Sequence, residues 1–301
     1  MSEHVSDRTP VATPSRPATT VVRTVADVRA AADALRAEGS GVALVPTMGA
    51  LHDGHLELVR RAARDGHAPI VSIFVNPTQF AAGEDLSSYP RREARDVDLA
   101  GTAGARAVFA PDVDEVYPEG FATTVSVAGP AEGLEGASRP THFAGVATVV
   151  AKLLLMVRPD RVVFGQKDAQ QVAVIRRMMR DLHLDDIEFV VVPTVRERDG
   201  LAMSSRNAYL SDTERQVALA LSRGLADAAD RATAGERDGR TLEDAAMETM
   251  RSVAGVEPEY AALVDPDTFQ RVPTLVGPAT LCVAARVGPA RLIDNAVIPI
   301  N

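Results

Sequence analysis

The stretch GVALVPTMGALHDGHLELVRRAARD, residues 41–65, decides the fold. Its opening run, Gly41 to Thr47, is apolar and rich in β formers and reads as a buried strand. A glycine-containing turn follows, and from about Asp53 to Asp65 the period changes. Leu56, Val59 and Ala63 recur at i, i+3 and i+7, while Arg60, Arg61 and Arg64 fall toward water. A strand feeding an amphipathic helix is the opening of an α/β unit.

The pattern repeats outward. Pro69 to Val75 reads as a second strand, stopped at Asn76-Pro77 because proline removes a ladder hydrogen bond. A polar helix from about Arg91 leads to a third strand near Ala105 to Ala110. Gly145 to Val157 reads as a strongly apolar helix, Arg161 to Phe164 as a strand, Asp168 to Leu182 as a helix and Ile187 to Val192 as a strand. Strands alternating with helices predict an α/β fold with a doubly wound parallel sheet. After Pro193 the grain changes: residues 211–253 are Ala-rich and helical, started by Ser211 and Thr213-Glu214. Strand-like runs follow at Glu259 to Val264, Thr280 to Val287 and Arg291 to Ile298. Helices first and strands later predict a second, smaller α+β domain. The expected division is a disordered tail at residues 1–20, a first domain at 21–194 and a C-terminal domain at 195–301, with no internal repeat.

Composition narrows the function classes. At 301 residues the chain can bury a large core, and 46% apolar with 24% charged residues is ordinary for a globular protein. The formal charge of −9 argues against a general nucleic-acid or anionic-membrane surface, so any polyanion must be met locally. Cys282 is the single cysteine, which excludes an intramolecular disulfide and points to a reducing, cytoplasmic setting. Within TLCVAA it reads as a small buried hydrophobe. No apolar run is long enough to span a membrane. The N-terminal residues, with Pro10, Pro14 and Pro17, have no apolar stretch of the kind a secretory leader needs.

Chemistry is expected where strands end and helices begin, since ligands of open α/β sheets bind there and helix N-termini favour phosphate. In PTMGALHDGH (46–55), His52 and His55 stand three apart and share one side of a first helical turn, while Gly49 and Gly54 permit close backbone approach. Three readings are open: phosphate contact, helix capping, and a metal pair that would need ligands from elsewhere. FGQKDAQQ (164–171) repeats the layout. Lys167 offers a point charge, Asp168 a cap or a ribose acceptor, and Gln171 a partner for a hydroxyl or carboxylate. MSSRN (203–207) fits a polyphosphate clamp, with Arg206 as planar fork, or an ordinary capping stretch. NPTQF (76–80) presents Asn76 and Gln79 to a polar small molecule or forms a routine turn. The pairs Arg91-Arg92 and Arg176-Arg177 read as solvated helix faces. Asp96 and Asp98 read as solvated helix acids, with a place near a bound cation as the alternative.

Taken together with RPTHFAGV (139–146), these motifs in this order resemble the pantoate–β-alanine ligase family over about Val21 to Ile300. The resemblance implies a Rossmann-like first domain of the nucleotidyltransferase superfamily, with HDGH as a HIGH-like motif and MSSRN where related synthetases carry KMSKS. It implies a C-terminal domain that hinges over the site, a homodimer, ATP as substrate and Mg²⁺. The implied reaction makes a pantoyl adenylate from pantoate and ATP, then pantothenate and AMP on attack by β-alanine.

Carried over by position, Met48, Gly49, Ala50, Leu51, His52, Asp53, Gly54 and His55 line the ATP site, joined by Gly165, Gln166, Lys167, Asp168, Val195, Met203, Ser204, Ser205 and Arg206. His52 and His55 face the phosphates, with His55 as proton donor or charge stabiliser, and Lys167 and Arg206 complete the catalytic set. Gln79 and Gln171 hold pantoate, and Gln79 also lies beside β-alanine. Gln166 departs from the family, where many members have Glu. The competing readings are a nucleotidyltransferase that leaves the nucleotide on its product, and a catalytically silent nucleotide-binding protein. The first is separated by Gln79, Gln171 and amine-dependent AMP release. The second predicts a missing histidine, lysine or arginine, and all are present.

Overall fold

The computed structural model describes residues 19–64, 66–80, 86 and 89–300; of the tail expected at residues 1–20, residues 1–18 lie outside them. The chain runs β1 (Thr20–Val22), α1 (Val25–Ala37), β2 (Gly41–Thr47), α2 (Asp53–Arg64), β3 (His67–Ile73), α3 (Glu93–Ala103) and β4 (Ala107–Phe109). It continues through the short helices α4 (Val113–Val116) and α5 (Leu134–Ser138) to α6 (His142–Val157), β5 (Arg161–Gly165), α7 (Ala169–Asp181) and β6 (Glu188–Val192). The second part is α8 (Asp212–Thr233), α9 (Gly239–Arg251), β7 (Val256–Val264), β8 (Ala279–Val287) and β9 (Ala290–Ile298).

The first six strands form a parallel sheet in the order β1-β4-β3-β2-β5-β6. Period-2 alternation sorts β2 onto two cores. Val42 and Leu44 pack with α1, α6 and α7, and Ala43 and Val45 pack with α2 and α3, so the sheet is covered on both faces as a doubly wound fold requires. Chain order reverses between β2 and β5, and these two strands pair only at Ala43–Arg161 and Leu44–Val162. Beyond Leu44 they separate, opening a crevice at their carboxyl ends.

The last three strands form an antiparallel sheet, β7-β8-β9. One face packs against α8 and α9 through Leu263, Leu281 and Val283; the other, with Ala262, Val264 and Cys282, packs against Ala169 and Ala173 of α7. Ser211 starts α8 in a reciprocal capping box with Glu214. Cys282 is buried as expected, and burial pushes its thiol pKa up.

Several local expectations are corrected. Thr20, assigned to the tail, opens β1, and Thr24 caps α1 by accepting the Asp27 amide; neither element was anticipated. The buried stripe of α2 is Leu56, Leu58, Val59 and Ala62, with Ala63 only partly covered. The second strand begins at His67 and ends at Ile73, two residues earlier at each end. Arg176 is more than a solvated face: its guanidinium pairs with Asp267 of the C-terminal part at 2.7 Å and lies over Phe189.

Candidate active site

The turn after β2 is built on Asp96. That carboxylate, 1% exposed on α3, accepts the Ala50 amide at 2.8 Å and the Leu51 amide at 2.9 Å. The reading of Asp96 as a solvated helix acid is therefore wrong, because two main-chain donors compensate its burial; Asp98 is exposed as expected. Gly49 has φ +84°, and a Cβ there would stand 3.1 Å from Asp96 Oδ2, so this glycine serves the turn itself. Its amide goes to Thr47 Oγ1.

The turn delivers His52 and His55 to the crevice with ring centroids 4.1 Å apart. His52 Nδ1 accepts the Gly54 amide at 3.2 Å, and His55 Nδ1 accepts the His52 amide at 3.4 Å. Gly54 leaves room for the His52 ring as it stands: a Cβ would meet His52 Cε1 at 2.8 Å, so the ring would have to shift. Burial, followed by the neighbouring His52, pushes the His55 pKa down to about 3. Burial and then the Lys167 charge lower that of His52. Both rings are thus neutral near pH 7, and a neutral ring that accepts at Nδ1 carries its proton on Nε2. The histidines thus offer neutral N–H donors to the cleft.

On the facing side, β5 ends at Gly165 and a 3-10 turn, Gln166–Asp168, leads into α7. Lys167 Nζ lies 3.8 Å from Asp168 Oδ1. Desolvation works against the Asp168 charge, but Lys167 and then Arg206 outweigh it and hold the carboxyl below its usual range. Residues 203–206 reach the same cleft; Ser204 Oγ caps a 3-10 turn by accepting the Arg206 amide, so the capping reading of this motif holds for Ser204.

The floor is the 3-10 turn Pro77–Gln79. Asn76, 1% exposed, donates through Nδ2 to Gln79 Oε1 at 3.1 Å and to the Gly145 carbonyl at 3.2 Å, while its Oδ1 accepts from Thr78 and Tyr117. Its amide is spent on holding Gln79, not on meeting a ligand as expected. Gly145 allows this approach: a Cβ would stand 2.4 Å from the Thr78 carbonyl oxygen.

These segments enclose a cleft of about 260 Å³ lined by Met48, His52, Gly54, His55, Gln79, Gly165, Lys167, Asp168, Gln171, Val195, Met203, Ser204, Ser205 and Arg206. Of the expected site residues, Gly49, Ala50, Leu51, Asp53 and Gln166 stand outside that lining. The Ala50 and Leu51 amides are committed to Asp96, and Gln166 turns toward Asn295 on β9. A second space of about 430 Å³ continues between the two sheets and shares Lys167, Asp168, Gln171 and Arg206 with the first.

Sequence reasoning assigned no part to Arg139 and His142, which line both spaces and engage the Gln79 carbonyl oxygen at 3.2 and 3.0 Å. The signal was present in RPTHFAGV, a polar pair at a helix start. Among the described residues no three His, Cys, Asp or Glu side chains gather as a metal site, so the metal-pair reading of His52 and His55 finds no further ligand there. No helix among those residues is long and apolar enough to cross a membrane.

Fold and cleft define an α/β protein whose strand-end crevice is furnished for a polar, anionic small molecule. The family described as pantoate-beta-alanine ligase matches residues 20–297, and the chain belongs to that family of enzymes. It is 52% identical over 279 residues to a pantothenate synthetase of Rhizorhabdus wittichii, covering 92% of this chain and 98% of the relative. A pantothenate synthetase of Heliobacterium modesticaldum is 53% identical over 263 residues, covering 87% and 93%. A crystal structure of pantothenate synthetase from Thermus thermophilus superposes with a TM-score of 0.86 at 48% identity, covering 93% and 99%. The pantoate-beta-alanine ligase of Francisella tularensis, complexed with beta-gamma ATP and beta-alanine, gives 0.72 at 30% identity, covering 93% and 98%.

Proposed function

We propose that this chain condenses pantoate with β-alanine to pantothenate through a pantoyl adenylate, using ATP and releasing pyrophosphate and AMP. The supporting observation is that His52, His55, Lys167, Ser204, Ser205 and Arg206 meet Gln79 and Gln171 in one cleft at the sheet's reversal point. The first group suits a triphosphate; the glutamines bind a hydroxylated acid without a competing charge.

In the first step a pantoate carboxylate oxygen attacks the α-phosphorus, and the bond to the β-phosphate oxygen breaks as pyrophosphate leaves. Negative charge moves onto the leaving oxygens, where Lys167 and Arg206 supply cations and the two Nε2–H groups supply donors. The neutral histidines make hydrogen bonding their first role, and charge gained from a bound phosphate their second. In the second step the β-alanine amine attacks the acyl carbon and loses a proton, the bond from that carbon to the bridging oxygen breaks, and AMP departs with the bridging oxygen while the carbonyl stays in the new amide. Gln79, pinned by Asn76, keeps the acid in line, so the catalytic gain is positional.

Mg²⁺ is implied by the family. Asp168 is the one carboxylate lining the cleft among the described residues, and Mg²⁺ is commonly bound by one or two carboxylates together with substrate phosphates. The residues fit a cation brought in on ATP, whose contribution is to neutralise phosphate charge. The family resemblance also supports a homodimer in the cytoplasm, a boundary near residue 194, and closure of the C-terminal part over the cleft.

Purified protein given ATP, Mg²⁺, pantoate and β-alanine is expected to release AMP only when all are present. A folded protein that binds ATP but forms no AMP would end this reading. AMP retained on the product, with no response to β-alanine, would favour a nucleotidyltransferase.

A further inference from the structure

We propose that Asn295, on the last strand of the C-terminal sheet, is a positioning residue for Lys167. This rests on the reading of Lys167 as a phosphate ligand, and it assigns the C-terminal sheet a part in the site beyond covering it.

Asn295 is 4% exposed and spends its whole side-chain amide on the Lys167 segment. Its Nδ2 donates to the Gln166 carbonyl at 2.9 Å and to the Lys167 carbonyl at 2.8 Å, and its Oδ1 accepts from Gln166 Nε2 at 3.4 Å. Both N–H bonds of one buried amide therefore fix consecutive peptide units from which the Lys167 side chain starts. A lysine side chain is a flexible stem carrying a point charge, so the placement of its backbone determines what the charge can reach.

Asn295 is itself held. Its main-chain N–H donates to Asp294 Oδ1 at 2.8 Å, and Asp294, 4% exposed, accepts from Arg196 Nη1 and Nη2 at 2.7 and 3.0 Å. Arg196 also donates to the Asn295 carbonyl at 3.3 Å. Arg196 follows Val195 and its main chain pairs with Ala202, beside Met203. Two adjacent side chains of β9 thus hold two of the segments that line the cleft, the Lys167 turn and the hairpin that carries the residue 203–206 loop.

The lysine content makes this measurable. Of 32 Lys and Arg residues in the chain, only Lys152 and Lys167 are lysines. Lys152 lies on α6 with its Nζ 4.5 Å from the Phe121 ring centroid, lines neither of the two spaces, and serves as internal reference. Trace acetylation followed by mass spectrometry reports the placement of Lys167 as a ratio to Lys152, and titration calorimetry with ATP reports binding.

Asn295→Asp keeps the shape but turns acceptor oxygens toward two carbonyls. It is expected to change the Lys167:Lys152 labelling ratio, weaken ATP protection of Lys167 and raise the ATP Kd about tenfold or more, with the pantoate KM and Lys152 labelling unchanged. Asn295→Ala should act in the same direction. Arg176→Ala, which breaks the separate bridge to Asp267, should leave the ratio and ATP Kd at wild-type values. A wild-type ratio and ATP affinity in Asn295→Asp would overturn the proposal. So would equal changes at both lysines together with a lowered Tm, which mark a purely structural role. Should wild-type protein form no AMP, the function reading fails while the labelling ratio still decides whether Asn295 places Lys167.

Discussion

The Asp96 carboxylate holds Ala50 in a left-handed backbone conformation, φ 52°, by accepting its amide at 2.8 Å. A non-glycine residue there is strained, and the two-amide grip of Asp96 offsets it. In Asp96→Asn one oxygen remains while the side-chain amide meets a main-chain N–H, leaving a buried donor unsatisfied at a cost of about 1–3 kcal/mol. Urea unfolding should show that loss, with a weakened ATP response because the His52 turn loosens. Unchanged stability would contradict the role.

Acid should weaken the fold through His55. Its pKa is about 3 in the folded protein against an ordinary 6.5, so the unfolded chain takes up the proton first. The contribution is complete above pH 6.5 and declines as pH falls toward 3, by roughly a few kcal/mol. Burial lowers His52 in the same sense. His55→Gln should flatten the unfolding free energy across that window relative to wild type, as measured by denaturant titration at each pH. In the enzyme assay it should depress adenylate formation far more than pantoate binding.

Gly145→Ala places a Cβ against the Thr78 carbonyl and 2.7 Å from Gln79 Cα, both backbone atoms that cannot swing away. The expected result is an overpacking loss of about 1–3 kcal/mol together with a raised pantoate KM, since Gln79 shifts. A pantoate KM equal to wild type in the folded variant would separate Gly145 from the acid pocket.

Arg291 of β9 grips Glu135 of α5 with two nitrogens at 2.6 and 2.8 Å, and Tyr260 donates to the same carboxylate at 2.8 Å. Desolvation opposes the Glu135 charge, but the Arg291 hydrogen bonds and charge win and hold its pKa low. Arg291→Met strands a largely buried carboxylate and should cost about 3 kcal/mol or more. The double variant Arg291→Met, Glu135→Gln should recover much of it. A double-variant loss equal to the sum of the Arg291→Met and Glu135→Gln losses would show that the pair is not coupled.

The elements legible in the sequence were those with strong period. β2 is legible to the residue, α6 and α7 within a few residues and α8 at its capped start, because long apolar patterns leave little choice; the break between α8 and α9 inside residues 211–253 is not. β1 and α1 were missed: three residues make a faint strand, and the α1 stripe of Val28, Ala32 and Leu35 is light in large side chains, although Thr24 and Asp27 offered a capping signal. At the site, His52, His55, Lys167 and Gln171 stood out because each follows a strand closely. Asn295 did not, and Asp96 and Asn76 stood out for other roles than the ones they fill, since the work of all three is done on main-chain atoms elsewhere in sequence, 46 residues away for Asp96, 69 for Asn76 and 128 for Asn295. Periodicity reports which way a side chain faces, not which remote amide it meets.

The parting of β2 and β5 beyond Leu44 carries a consequence for how this molecule comes into being. Its two walls belong to strands separated by most of the first domain, so closing that loop is entropically slow and cannot precede synthesis of β5. A nascent chain halted before residue 161 holds the histidine turn without the wall that faces it. Catalytic competence is in this sense a late event in biogenesis, and a ribosome-bound fragment ending there should be inert toward ATP.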